Sequence, residues 1–350
     1  MAMRPYAWGK LPRMKVSLRV SPFAPIPETV VFTQKVEAAG FDGVGFLDSQ
    51  MIDRELFVVM GAAAAATLRI RLISAVTNPL TRHVSVIASS AASIDDIAPG
   101  RVEVWIGRGF SAVNMAGMRD ATTQQLHDGI TQLRGLIAGE WDAIPSVHSR
   151  MRIGGRNIPV YLAAQGPRTI RLAGEVADGL LLAGTFDPAH WQRARDLIAE
   201  GAASAGRSAD VGLCVSLLTC IRLTREQAIH ESGPLLVLRL DEPEWLASQG
   251  IDTHGAVVPQ ALREMYPDAM HADDPERALT ICEEVPYDLR SRIADAVGLI
   301  GGPDDVIERL RIAAGHGIDH IYMRTVDTLS FPEAEVEAYA RSIGAAVRTM

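Results

Sequence analysis

Cysteine is scarce: 350 residues hold three, Cys214, Cys220 and Cys282, in neither a metal-ligand spacing nor a C-x-x-C pair. Buried thiols in a reducing compartment are expected, and a disulfide framework is not. Positive charge is also short. With 34 Lys and Arg against 42 Asp and Glu the net charge is −8, which gives no electrostatic footprint for nucleic acid. No apolar run reaches the length of a membrane span, and the run from Ala62 to Ala66 is closed by Thr67 and Arg69. The opening MAMRPYAWGKLPR is basic but has no apolar h-region or small-residue cleavage site. Residues 1–13 therefore read as a peripheral arm, and a cytoplasmic location is expected. Of the histidines, His127, His148, His190, His230, His254, His271, His316 and His320 show no ligand spacing, so no metal site is expected.

What the chain has is alternation. Apolar, β-branched runs at 15–20, 43–47, 69–76, 101–107, 158–163, 179–183, 212–222 and 320–324 are each followed by a helical pattern. The helices fall at 28–39, 55–66, 84–97, 122–138, 168–176, 188–205, 303–316 and 332–347. In the fourth, Leu126, Ile130, Leu133 and Ile137 share one face and Gly139 supplies the stop. Eight strand–helix pairs predict an α/β fold, a (β/α)8 TIM-type barrel occupying residues 14–350 as a single domain. Residues 141–157 carry Pro145, Gly154 and Gly155 and read as a hairpin or loop. A helical insertion, punctuated by Pro243, Pro259, Pro275 and Pro286, is expected at about 224–302, between strand seven and helix seven.

In such a barrel the chemistry belongs to the loops after the strands. Strand three ends in Thr77-Asn78-Pro79. Gln165-Gly166-Pro167 opens the helix after strand five, with Gly166 as N-cap and Pro167 at the first helical position, so the free amides make either an anion site or an ordinary connection. Gly184-Thr185 after strand six has the same two readings. Gly107-Arg108-Gly109 ends strand four and lets a flat ligand approach the backbone, and Arg108 faces either a ligand oxygen or solvent. Asp48, at the end of strand two, either accepts hydrogen bonds from a ligand or caps the next helix. Arg82 and His83 read as a structural clasp between strand-end loops.

The segments VTNPLTRH, SSAASIDDIAPGRVEVWIGRG, IPVYLAAQGPRTIRLAGEVADGLLLAG and GGPDDVIERL resemble the luciferase-like flavin and deazaflavin oxidoreductases, most closely the methylenetetrahydromethanopterin reductase branch. The resemblance is collinear from about Lys15 onward and weakest across the insertion. It implies a barrel that holds coenzyme F420 (a deazaflavin) or FMN, and a homodimer as the assembly. The ring would lie against Asp48, Ser74, Ala75, Val76, Thr77, Gly107, Arg108 and Gly109. A non-prolyl cis peptide would fall at Ser74–Ala75, and the phosphate would sit on the backbone of Gln165, Gly166, Gly184 and Thr185.

The chain also departs from that family. Arg19 stands where the methanopterin-reducing members carry a glutamate, Phe110 where many carry an acid, and Ser49 where the sugar-phosphate dehydrogenases carry a histidine. These three residues are the candidates for the substrate pocket. The leading expectation is a coenzyme F420-dependent oxidoreductase that transfers a hydride to or from a small organic substrate. The first alternative is an FMN-dependent monooxygenase that uses oxygen and a separate flavin reductase. The second is a catalytically degenerate barrel that binds a ligand or partner.

Overall fold

The computed structural model describes residues 13–145, 148–208, 210–266, 268–270, 272–326 and 328–350. Of the expected N-terminal arm, residues 1–12 lie outside that set. Arg13 grips Asp42 with two hydrogen bonds of 2.6 and 3.0 Å, which ties the chain's entry to the loop before the second strand.

The strands are β1 (Lys15–Val20), β2 (Gly43–Phe46), β3 (Arg71–Thr77), β4 (Val102–Ile106), β5 (Val160–Ala164), β6 (Gly179–Ala183), β7 (Gly212–Ile221), β8 (Gly298–Gly301) and β9 (His320–Thr325). All pairings are parallel, and all strands but β8 form a closed ring in which β6 meets β7, β7 meets β9 and β9 meets β1. The fold is a TIM barrel. Side chains alternate in β1: Val16, Leu18 and Val20 are buried under the surrounding helices, while Lys15, Ser17 and Arg19 point inward. Inside the ring Ile73, Trp105, Tyr161 and Tyr322 pack together. Gly43 and Gly45 make room for them, since a Cβ there would stand 2.5 Å from Ser17 Oγ and from Tyr322 Oη respectively. Below this layer Glu103 is buried, accepting from Trp105 Nε1 at 2.9 Å and Arg71 at 3.3 Å.

The insertion is mostly helical, from Arg225–Glu231 to Tyr287–Val297, and has its own apolar cluster that includes Leu236, Val237, Leu262 and Ile293. Its final residues form β8, a strand the periodicity does not disclose. β7 is ten residues long, and its last four, Leu218–Ile221, pair with β8. At Gly298 a Cβ would stand 1.9 Å from the Leu218 carbonyl oxygen, so the pairing needs a glycine there.

Two further expectations need correction, and one open choice is decided. The C-terminal helix is broken into Glu333–Ala338, a π turn Tyr339–Ile343 and Gly344–Val347, with the Tyr339 ring stacked on Phe41 at 3.8 Å. Within 141–157 the described residues form turns and coil without a strand, which is the loop of the two readings the sequence left open. The cis peptide is Ala75–Val76, not Ser74–Ala75. Ser74 is still in register with Val104, and its hydroxyl bridges the Trp105 backbone at 3.0 and 3.1 Å; the slip in pairing comes only between Ser74 and Thr77.

Candidate active site

The carboxyl ends of β2 to β6 open on a cavity of about 730 Å³, within the range of small-molecule sites. Its floor is made of small inward residues, Ala75, Gly107, Ala163 and Ala183, with Val76 beside them. A Cβ at Gly107 would come within 3.1 Å of Val76 Cγ2. Gly109 has φ +76, and a Cβ there would meet Val113 at 2.7 Å, so this loop needs its second glycine both to turn and to pack.

Asp48 stands in the wall, accepting from Thr77 Oγ1 at 2.7 Å and Arg82 Nη1 at 2.5 Å. Arg82 reaches on to Glu55 at 2.7 and 3.1 Å, which makes it the clasp expected from sequence. Burial alone would lower the Arg82 pKa, but Asp48 and Glu55 outweigh it and hold it above the usual arginine value. The cap of the following helix, Leu56–Ala66, is Glu55, which accepts from Val58 N at 2.8 Å. Asp48 is not that cap.

Ser49 Oγ and Ser111 Oγ share a hydrogen bond of 2.6 Å, and Gln50 Nε2 donates to the Ala112 carbonyl at 2.8 Å. These contacts fasten the short helix Ser111–Asn114 to the β2 loop and leave Phe110 69% exposed at the cavity rim. Arg108 also lines the cavity, with its Nε donating to the Ala121 carbonyl at 2.9 Å. Across the opening, Gln165 and Gly166 precede the helix Pro167–Val176. Gly166 has φ −88 and ψ 153, and the nearest atom to a Cβ there is Thr169 Oγ1 at 4.0 Å, so its backbone faces open space.

Other sequence candidates stand outside the cavity lining. Ser74 is buried under the bulge, and Thr77 is buried against Asp48. The Gly184 amide donates to the Ser216 carbonyl at 3.1 Å. Thr185 Oγ1 accepts from Trp245 Nε1 at 3.1 Å, because the insertion folds down over the end of β6, and its carbonyl accepts from Trp191 Nε1 of the helix Pro188–Ser204 at 2.9 Å. Arg19 is buried at the end of β1 and donates to the Thr325 carbonyl. The structure therefore does not bring Arg19 and Phe110 to one wall. Sequence reasoning missed Ser111, Arg168 and Thr169, which also line the cavity; they directly follow the Gly-Phe and Gly-Pro steps, and that adjacency was the available signal.

The three cysteines are free and buried. Among the described residues no group of three or more His, Cys, Asp or Glu is placed to hold a metal ion, and His271 lies outside those residues. No described helix is long and apolar enough to cross a membrane.

Residues 11–320 match the family described as luciferase-like monooxygenase. The 5,10-methylenetetrahydromethanopterin reductase of Methanolobus tindarius is 30% identical over 234 residues, covering 64% of this chain and 70% of that protein. The F420-dependent glucose-6-phosphate dehydrogenase of Beutenbergia cavernae is 29% identical over 279 residues, covering 66% and 82%. Among solved structures, the coenzyme F420 dependent tetrahydromethanopterin reductase from Methanopyrus kandleri has a TM-score of 0.77 at 21% identity, covering 96% of this chain and 99% of that one. The last likeness concerns the fold; the match over 11–320 establishes that the chain belongs to the luciferase-like monooxygenase family.

Proposed function

We propose that this protein is a coenzyme F420-dependent oxidoreductase that transfers a hydride between the deazaflavin and a small organic substrate. The observation that carries the reading is the cavity floor. Ala75, Gly107, Ala163 and Ala183 are all small residues of the cavity lining, against which a planar ring system can lie without displacing a bulky side chain. The residues fit the cofactor in a second respect, since Arg168 and Thr169 in the first turn of Pro167–Val176 line the same cavity, and the free amides of a helix's first turn suit a phosphate. Two relatives act in reactions that their names connect with F420 or a methanopterin, which favours the deazaflavin over FMN.

When bound, the deazaflavin supplies the hydride chemistry, and the chain supplies position and surroundings. Arg82 neutralises Asp48 in the wall, so no bare carboxylate faces the ring. Phe110 and the apolar floor narrow the space left to water. The Ser49–Ser111 hydroxyl pair offers a donor and free lone pairs to a substrate oxygen.

The test is a titration of purified protein with coenzyme F420 and FMN side by side. At least tenfold tighter binding of F420, about 1.4 kcal/mol, is the expected result. A preference for FMN with oxygen consumption would transfer the protein to the monooxygenase reading, and binding of neither would overturn both.

The same reading includes a homodimer. The helix Leu56–Ala66 is apolar around its circumference and leaves Val58 57% exposed, near the helix that carries the 51% exposed Val86. A second copy of this chain would cover that face. Light scattering should give a dimer for the unaltered protein and a monomer for Val58→Lys/Val86→Lys; a monomer in both overturns the assembly.

A further inference from the structure

The half of the barrel mouth away from the cavity floor is cationic. β1 and β9 pair with Ser17 beside Tyr322 and Leu18 beside Met323, and one further step in that register puts Arg19 beside Arg324. Both belong to the inward set of their strands. Neighbouring strands lie about 5 Å apart, so two guanidinium groups start from adjacent positions on one interior face, an arrangement that opposes folding when nothing negative lies between them.

A third arginine comes from the insertion. Arg239 holds both oxygens of Glu242 with Nη1 at 2.8 Å and lies over the Trp245 ring at 5.1 Å. Its Nη2 points the other way, 3.4 Å from where a Cβ of Gly184 would be. Gly184 immediately follows Ala183 of the cavity floor, so Arg239 adjoins the proposed ring site.

Arg324 is the unusual member. It is part-buried, and among the described residues it has no hydrogen bond or ion pair. Burial first, and then Arg19 and Arg239, lower its pKa to about 9, with Tyr322 and Glu242 opposing them only in part. Glu242 is already engaged by Arg239. Such a cation is costly to the folded chain unless a ligand supplies the counter-charge.

We infer that Arg324, flanked by Arg19 and Arg239, is an anion subsite that recognises a carboxylate or phosphate group of the substrate beside the proposed ring site. The inference rests on the oxidoreductase reading for its substrate but not for the subsite itself. It narrows the substrate class to small organic anions whose charged group lies on the β1–β9 side while the reacting carbon lies over the floor. Arg239 gives the subsite a selective element, because it enters from the insertion and not from the barrel.

Inorganic phosphate and succinate serve as probes, titrated calorimetrically into the protein with and without F420, and into Arg324→Gln and Arg324→Lys. The expected result is anion binding at least tenfold weaker in Arg324→Gln and largely kept in Arg324→Lys, with F420 affinity within twofold of the unaltered protein in both. Without ligand, Arg324→Gln should unfold at a higher temperature than the unaltered protein, a gain that a merely structural arginine would not give. Equal anion affinity in Arg324→Gln, or no anion binding at all, overturns the subsite. Competition between the anions and F420 also overturns it, since the arginines would then serve the cofactor's own charged groups. Failure of F420 to bind, with phosphate binding intact and dependent on Arg324, would remove the proposed cofactor and leave the subsite standing.

Discussion

Arg82 and Asp48 meet at 2.5 Å, one from the segment after β3 and the other from the end of β2, with side chains only 14% and 1% exposed. The pair locks two strand-end loops that border the cavity. Replacing Arg82 with leucine would strand the Asp48 carboxylate with Thr77 as its remaining donor, and breaking such a pair costs about 3 kcal/mol. Urea unfolding should show a loss of that order for Arg82→Leu and a smaller one for Arg82→Lys, which keeps the charge but cannot span Asp48 and Glu55 together. A loss below about 1 kcal/mol in Arg82→Leu would show that the clasp is not a stabilising element.

The barrel strands were legible because each is an apolar run closed by a turn signal. β8 was not, since GLIG offers only two apolar side chains between glycines, and its strand identity comes from the last four residues of β7. The loops at Gly107–Gly109 and Gln165–Gly166 were readable from local turn chemistry. The role of Asp48 was not, because its partners Thr77 and Arg82 are 29 and 34 positions away. Gly184 and Thr185 looked equivalent to Gln165 and Gly166 in sequence; their amide and hydroxyl are engaged by Ser216 and Trp245, and no local pattern reports a distant tryptophan. Arg324 carried no signal alone, and its meaning comes from the strand register that sets it beside Arg19.

Gly166 provides a test in which binding and folding separate. Its φ of −88 and ψ of 153 suit a β-branched residue, and no protein atom blocks a Cβ. Gly166→Val should therefore unfold within about 0.5 kcal/mol of the unaltered protein and bind F420 at least tenfold more weakly, because the new side chain stands where the anion would approach the amides. Unchanged cofactor affinity would place the phosphate elsewhere.

His320 should leave a signature in the acid limb of the stability curve. Burial first, then the charges of Lys15 and Arg71, lower its pKa from 6.5 to about 3, and its ring nitrogen Nε2 shares a hydrogen bond of 2.9 Å with Ser17 Oγ. Below pH 6.5 the unfolded chain takes up a proton that the folded chain refuses, so stability falls as pH drops from 6.5 toward 3. The slope is about 1.4 kcal/mol per pH unit, or about 2 kcal/mol by pH 5. Glu103, raised by burial, has the opposite sign, since its folded form binds the proton more tightly. Comparing His320→Asn with the unaltered protein at pH 7 and pH 5 isolates the histidine: the variant should lose less stability over that interval. Equal losses would mean that His320 titrates normally in the folded chain.

The last prediction concerns turnover. Phe110 stands at the cavity rim and Arg19 at the mouth, buried against the Thr325 carbonyl, at positions where the resemblance read from the sequence leads one to expect acids. Neither an aromatic ring nor an arginine, which stays protonated, can deliver a proton as a carboxyl group does. With F420 and methylenetetrahydromethanopterin the unaltered protein should show no turnover above background. An Arg19→Glu/Phe110→Asp variant that gains activity would assign both positions to the reaction chamber. Robust reduction of the pterin by the unaltered protein would show that proton delivery in this barrel needs neither acid, and the Ser49–Ser111 hydroxyl pair would then be the next group to substitute.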